Sequence, residues 1–563
     1  MLGNEGPADN IFLVNPQHIG MGSAERHKML KKIQPHCRMK SLVAEGLWLL
    51  LVAAIALLAF TWNQEAVFFG GDVYFADGDC YSRMTRVRMI EEDGLHSIRH
   101  HAWENFPEGT TPHTTMPLDA LIAGFSGVLA AFTPRHLEMA AAWISPMLGV
   151  ATVVFLFLWG AVMKLPYRRA MVLLVVVSPI CAHGFQVGRP DHQAIQMLLV
   201  AVALAAEVGI WLKRSPAWAY VSATAWAVAL WVSLFEPLIL LALILAARLL
   251  ARLAGRLEAP SSNGSSFFPR NKAIPLLLFL GILMVSFLVD GWRPVDFHPA
   301  FDRWAMNIGE LRGAGWSGLF SWCGWLLPVV PLFLIVQWIQ GRAALCGLFA
   351  LLVVAMAGLS FYHARWGYFL VLVFAMSLPW AMPPPLFRWR WLAAAAFIVS
   401  LWPMAAEWER ILYPNDEAFR ARVENIADSV ALREAGLALR ELPEGAVMAP
   451  WWLSPALVWW SGQPCVGGTS HQSLPGIVDS CEFYLASDPA SAQAILERRR
   501  VKYILTYEPD RVIPNSEQIL GKKAVGKPMA DVLYHKPEQA PEGWMPVFSN
   551  RFFRIHQVRE PNP

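Results

Sequence analysis

Long apolar runs separated by short polar loops fill the chain up to about residue 405, and a mixed pattern takes over beyond it. Runs of roughly 17–25 apolar residues are long enough to cross a hydrocarbon core as helices. The pattern predicts spans at 42–62, 140–163, 168–185, 192–212, 217–235, 237–254, 272–291, 318–339, 344–361, 366–382 and 389–405. A further apolar piece, 118–132, would break the alternation of sides if it crossed. It is therefore expected to lie in the interface, within the first external loop.

Positive charge orients this array. Arg26, Lys28, Lys31, Lys32, Arg38 and Lys40 precede the first span. The loops that then face the cytoplasm carry Lys164, Arg168 and Arg169, next Lys213 and Arg214, next Arg248, Arg252, Arg256, Arg270 and Lys272, then Arg342, then Arg388 and Arg390. Each is basic, as the positive-inside rule requires. The first apolar run is too long for a signal core and reads as a retained span with a cytoplasmic amino terminus. Residues 255–271, rich in Ser and containing Asn263-Gly264, read as a flexible cytoplasmic linker. An odd number of spans leaves the residues from 406 onward outside. There Ala446–Met448, Leu457–Trp460 and Val501–Tyr507 read as strands, with helices near 416–440 and 489–499. The expected organisation is a cytoplasmic tail 1–41, a transmembrane domain 42–405 with external loops 63–139, 185–192 and 292–317, and an external α/β domain 406–563.

Composition agrees with this class. Of 563 residues, 55% are apolar and 16% charged, and the net charge of +3 offers no basic surface for nucleic acid. The 26 Trp and 31 Phe suit interface belts and apolar pockets.

The candidate chemistry gathers at the outer ends of the spans. The first external loop opens with Asp77-Gly78-Asp79-Cys80-Tyr81-Ser82-Arg83. Later external loops bring Arg189-Pro190-Asp191-His192-Gln193 and Asn307-Ile308-Gly309-Glu310, and Arg365 stands at the outer end of the tenth span. Each carboxylate alone reads equally as a helix cap or a solvated loop group. Together on one face they form a set able to hold a hard divalent cation. Glu236, before Pro237, lines the substrate cavity or sits at the water boundary. His100, His101 and His113 are ligands or solvated loop groups, and Cys465 and Cys481 are either a disulfide or two thiols.

These segments resemble, in order and over most of the chain, the catalytic subunit of the oligosaccharyltransferases of the GT-C class. Asp79-Cys80-Tyr81 with Arg83, Arg86 and Glu91-Glu92-Asp93-Gly94 resembles the family's first-loop aspartate motif. Asn105-Phe106-Pro107-Glu108-Gly109 with Pro117-Leu118-Asp119 is similar to the adjoining segment of archaeal members. Gly188 to Gln193 resembles the second acidic motif, Asn307 to Glu310 the loop motif ending in glutamate, and His363-Ala364-Arg365-Trp366 with Phe369 the arginine segment.

The resemblance implies an α-helical polytopic membrane protein with a GT-C fold of about 11–13 transmembrane helices. It also implies a soluble carboxy-terminal α/β domain on the periplasmic or extracytoplasmic side of the inner (plasma) membrane. The implied reaction moves a glycan from a polyprenyl-pyrophosphate-linked oligosaccharide to a protein or cell-surface acceptor. In it Asp79, Asp191 and Glu310, with Gln193 as a weak fourth ligand, hold Mg²⁺ or Mn²⁺, while Arg365 binds the pyrophosphate. Asp79 and Glu310 also meet the acceptor amide. Asp77, read on its own, is either a supporting group or one that keeps the loop hydrated. The loop Arg293–Gly315 has the glycine content of a gate.

Two positions depart from the family pattern. Gln193 stands where an acidic or His ligand is usual. In Trp451-Trp452-Leu453, Leu453 replaces an aspartate that reads an acceptor hydroxyl, and leucine accepts no hydrogen bond. The two tryptophans are acceptor-binding residues or an apolar wall. The alternatives are a GT-C transferase of a polyprenyl-phosphate monosaccharide, a non-catalytic relative, and a transporter. Transport fits less well, because the polar groups gather at the outer face and no internal repeat is visible.

Overall fold

The computed structural model describes residues 43–112, 116–212, 215–255, 273–291, 298–341, 343–381 and 390–559. The tail 1–41, linker residues 256–271, His113, Lys213, Arg214, Lys272, 292–297, Arg342 and Arg388 lie outside the described residues. The chain divides into a unit ending at Ala54 and a unit from Ile55 to Pro563. The first contributes, among its described residues, the opening turns of the apolar helix Val43–Phe60. The remaining elements and the candidate site belong to the second.

Seven helices among the described residues are long and apolar enough to cross a membrane: Val43–Phe60, His136–Val162, His192–Trp211, Ala273–Asp290, Ala344–Tyr362, Ala364–Ala381 and Trp391–Leu412. The chain is a multi-pass membrane protein. Other expected spans are helices Ala217–Val232 and Phe235–Leu253, or helices in two pieces. One breaks at Ser178, where Pro179 forces the preceding residue into an extended conformation (ψ 120°) and starts the second piece, Pro179–Gly184. Another breaks after Trp316–Cys323 at Gly324, whose φ of 76° and approach to the Ser400 carbonyl leave no room for a side chain. The apolar piece expected at 118–132 is the helix Met116–Leu129.

The carboxy-terminal domain is built on a four-stranded sheet. With β1 (Phe68–Phe69) and β2 (Asp72–Val73) forming a small hairpin in the first loop, the sheet strands are β3 (Ala446–Met448), β4 (Val501–Thr506), β5 (Trp544–Ser549) and β6 (Arg554–Val558). Their order is β3-β4-β6-β5, with β3 and β4 parallel and the other pairs antiparallel.

The segment Leu457–Trp460, expected as a strand, is instead part of the helix Ser454–Ser461. Pro455 in its first turn and left-handed Gly462 (φ 67°) just after it set its ends. Nearly every residue between them is buried, so no polar face marks the helical period.

One apolar core joins the first loop to this domain. Cys80, Tyr81, Met84 and Val87 of the loop helix Gly78–Asp93 share it with Ala140–Ala142 of the long helix and with Leu457, Trp459 and Tyr503. Fully burying a large apolar side chain contributes about 1.5–3 kcal/mol. The first loop is thereby fixed on both sides and carries its acidic turn on a rigid base.

Candidate active site

The acidic turn is fixed by capping and close approach. Asp77 caps the helix Gly78–Asp93, its Oδ1 accepting from the Cys80 amide at 3.0 Å. Gly78 follows because a Cβ there would meet the Thr469 methyl at 2.5 Å and the Trp452 carbonyl at 3.5 Å. Asp79 then falls in the first helical turn, where the helix dipole favours an anion. The turn is tied to the second acidic segment through the backbone, as the Ala76 amide donates to the Gly188 carbonyl at 2.9 Å. Gly188 itself has φ 75°, and a Cβ would strike Val67.

The second segment is also a helix start. Asp191 caps His192–Trp211, its Oδ1 accepting from the His192 amide at 2.6 Å and from the His192 ring Nδ1 at 2.7 Å. Arg365 approaches the other ring nitrogen, Nε2, at 3.5 Å. That arrangement places the imidazole proton on Nδ1, facing Asp191, so His192 is committed to orienting a carboxylate. Gln193 points the other way and donates from Nε2 to Glu310 Oε2 at 3.1 Å, while its buried Oε1 has no partner.

Glu310 lies in the short 3₁₀ turn Gly309–Leu311 and is held by a ring of contacts. Tyr368 donates to its Oε1 at 3.0 Å, and Arg189 Nη2 donates to the same oxygen. His183 lies 2.9 Å from the Tyr368 hydroxyl through Nδ1 and accepts from Arg189 Nη1 through Nε2 at 2.9 Å. The loop carrying Glu310 is stitched on both sides. The Ala364 amide donates to the Arg312 carbonyl at 2.7 Å, and Arg303 donates to the Ile519 carbonyl at 2.8 Å.

Asp79, Asp191, Gln193, Glu310 and Arg365 therefore converge, together with Asp77 and Glu236. Glu236 is buried, pairs with Arg365 Nη2 at 2.5 Å and accepts from Ser233 Oγ at 2.9 Å. The structure buries Glu236 beside Arg365 and does not leave it at a water boundary. Asp79 is itself exposed, yet desolvation by the protein packed around its turn and then the charges of Asp77 and Asp191 push its carboxyl up to about 7. Burial also opposes charge on Asp191 and Glu310. There His192 for the first and Arg189 for the second prevail and hold both below the ordinary carboxylate range. Among the described residues Asp79 has no ion pair with any cation.

The donor set suits a hard divalent ion, with carboxylate oxygens and the unpartnered carbonyl oxygen of Gln193. Five carboxylates (Asp77, Asp79, Asp191, Glu236 and Glu310) face two guanidiniums (Arg189 and Arg365), so the site is short of positive charge. As the side chains stand, no three His, Cys, Asp or Glu among the described residues converge closely enough to ligate one ion. The Arg189 guanidinium occupies the space between them.

The tryptophans adjoin the loop that carries Glu310. Trp451 donates from Nε1 to Asn515 Oδ1 at 2.9 Å and meets Trp304 edge-on at 6.0 Å, and Asn515 donates to Asn307 Oδ1 at 3.0 Å. Trp452 contacts Trp451 edge-on at 5.7 Å, and Leu453 packs against the shared core. His101 is buried 3.7 Å from Glu104 and away from the acidic cluster, and Cys465 and Cys481 are free buried thiols. Sequence reasoning alone gives no role to Arg189, His183 or Tyr368. The last two sit inside apolar runs, where any polar side chain is itself a signal.

No protein-family model and no curated protein matches the chain. Solved structures do. The archaeal oligosaccharyltransferase AglB from Archaeoglobus fulgidus, in complex with an inhibitory peptide and a dolichol-phosphate, matches with a TM-score of 0.64 at 14% identity, over 85% of this chain and 71% of that one. The A. fulgidus enzyme in complex with Zn and sulfate matches with a TM-score of 0.61 at 13% identity, over 84% of this chain and 70% of that one. ArnT from Cupriavidus metallidurans in the apo state matches with a TM-score of 0.50 at 12% identity, over 92% and 98% of the two chains. The chain has the fold of the archaeal oligosaccharyltransferases, a GT-C membrane glycosyltransferase fold with a carboxy-terminal globular domain.

Proposed function

We propose that the protein transfers a glycan from a polyprenyl-pyrophosphate donor to a protein acceptor at the outer face of the plasma membrane. The division into a membrane domain 42–405 and an extracytoplasmic domain 406–563 belongs to the same reading. The observation that carries it is Asp79, a carboxylate without a cationic partner among the described residues, set where the charges of Asp191 and Glu310 reach it, while Arg365 stands beside His192, the residue that holds Asp191. The A. fulgidus neighbours, solved with a dolichol-phosphate and with Zn and sulfate, support a lipid-phosphate donor and a divalent ion.

Each side chain has a role in this reading. Arg365 keeps Nη2 on Glu236 while its side chain stays 22% exposed, so the rest of its fork can face phosphate oxygens. Asp79, Asp191, Glu310 and Gln193 would hold Mg²⁺ or Mn²⁺, which when bound supplies Lewis-acid neutralisation of the pyrophosphate leaving group. Asp79 and Glu310 also accept hydrogen bonds from the acceptor's attacking group, and Tyr368 and Arg189 orient Glu310 for it. Trp451 and Trp452 flank the acceptor path. Leu453 offers no partner for an acceptor hydroxyl, so the acceptor is chosen by a rule that does not read Ser or Thr.

The test is donor consumption by the purified full-length protein, offered a polyprenyl-pyrophosphate-oligosaccharide or a polyprenyl-phosphate monosaccharide, with Mn²⁺ or with chelator. Metal-dependent release from the pyrophosphate donor is expected. Consumption of the monophosphate donor alone would instead make the protein a monosaccharide transferase.

A further inference from the structure

Arg189 is the one charged residue of the site whose placement calls for a second explanation. It is buried at the point where three carboxylates meet. Nη1 lies 3.6 Å from Asp77 Oδ2, Nη2 lies 3.5 Å from Asp191 Oδ2, and Nη2 also donates to Glu310. Among the described residues no other guanidinium or ammonium pairs with Asp191 or Glu310.

The way it is held matters. Charge-assisted hydrogen bonds run at about 2.7–2.9 Å, and a guanidinium built to neutralise a carboxylate permanently usually binds it with two parallel bonds. Arg189 grips only Glu310 closely, through a single nitrogen, and stands off from Asp77 and Asp191. Its buried Nε has no partner. Two of its contacts are not to proposed metal ligands, the accepting Nε2 of His183 at 2.9 Å and Asp77, whose side chain is 38% exposed. The guanidinium thus has somewhere to remain when Asp191 and Glu310 are taken from it.

We propose that Arg189 is an exchangeable counter-ion of the metal site. It holds Glu310 beside Asp191 before a divalent cation binds, and it yields both carboxylates to that cation while keeping Asp77 and His183. The inference rests on the metal-dependent reading above. Its physical basis is competition: a dication and a guanidinium repel each other and seek the same oxygens, so the arriving ion must displace one to gain the other. The exchange would hold the Glu310 loop in place through the metal-free part of the cycle, when the repulsion among the carboxylates is otherwise unopposed.

Mn²⁺ binding and thermal unfolding of the full-length protein test this in wild type, Arg189→Gln and Asp191→Asn. Arg189→Gln should bind Mn²⁺ at least tenfold more tightly than wild type. Its melting temperature should fall without metal and recover with saturating Mn²⁺, and Asp191→Asn should lose binding. Equal Mn²⁺ affinity in wild type and Arg189→Gln, or a loss of stability that Mn²⁺ does not restore, would overturn the exchange while leaving the metal site intact. Absence of Mn²⁺ binding in both proteins would overturn the metal-dependent reading and the exchange with it. If Arg189→Gln does not fold, a structure of the wild type with Mn²⁺ bound decides the matter: Arg189 must have left Glu310, and its persistence there would refute the proposal.

Discussion

The helix Gly78–Asp93 carries two charged regions one turn apart, and they are built in opposite ways. Arg83 and Arg86 both pair with Asp119, and all three are buried. Glu104, also buried, adds its charge to Arg86 and accepts from Ser473 Oγ at 3.4 Å. Asp79, on the same helix, pairs with no cation among the described residues and keeps company with three other carboxylates. The paired region joins the first loop to the helix Met116–Leu129 and to the carboxy-terminal domain. The unpaired one stores electrostatic repulsion that a bound cation or a substrate can relieve. Matched buried charge maintains structure here, and mismatched charge at an open recess is where binding and chemistry are expected.

The comparison is sharpest where the two regions respond differently to loss of one carboxylate. Glu310→Ala should lower glycan release by about 100–1000-fold, the usual size of losing one group that stabilises developing charge. Its melting temperature should fall less than that of Asp119→Ala, because Arg189 keeps Asp77, Asp191 and His183, and a loss of activity matched by unfolding would break the comparison. Asp119→Ala should do the reverse and destabilise by about 3–5 kcal/mol, because it removes the carboxylate with which two buried guanidiniums pair. Denaturation by heat reads this, and a neutral result would show that the paired region is not structural.

Smaller effects probe the unpaired region more finely. Arg365→Lys keeps the charge but loses the fork, so pyrophosphate donor binding should weaken by about 10-fold, with Glu236 still paired. A donor titration checks this, and an unchanged donor affinity would move the pyrophosphate elsewhere. Asn515→Ala removes the link between Trp451 and Asn307, a loss of about 0.5–1.5 kcal/mol. It should appear as a few-fold slower release and faster proteolysis of the Glu310 loop.

The membrane helices are legible in the sequence because lipid tolerates only long apolar runs with internally bonded backbones. The acidic cluster is legible as a set of span-end carboxylates, although their mutual placement depends on backbone ties such as Ala76 to Gly188. Other features are hidden for definite reasons. The helix at Leu457–Trp460 is buried on all sides and shows no period, while β5 is an edge strand interrupted at Pro546, where its register shifts, and so lacks a strand signature. Arg189 reads as part of a motif, but its position among three carboxylates follows only from the fold.

The most direct measurement is the rate of glycan release from a polyprenyl-pyrophosphate-oligosaccharide by Asp79→Asn relative to wild type, both with saturating Mn²⁺. The substitution removes the unpaired charge and leaves the side chain's shape. A loss of about 100-fold or more is expected, in a protein at least as stable as wild type. A rate within threefold of wild type would contradict the assignment of this recess as the catalytic centre.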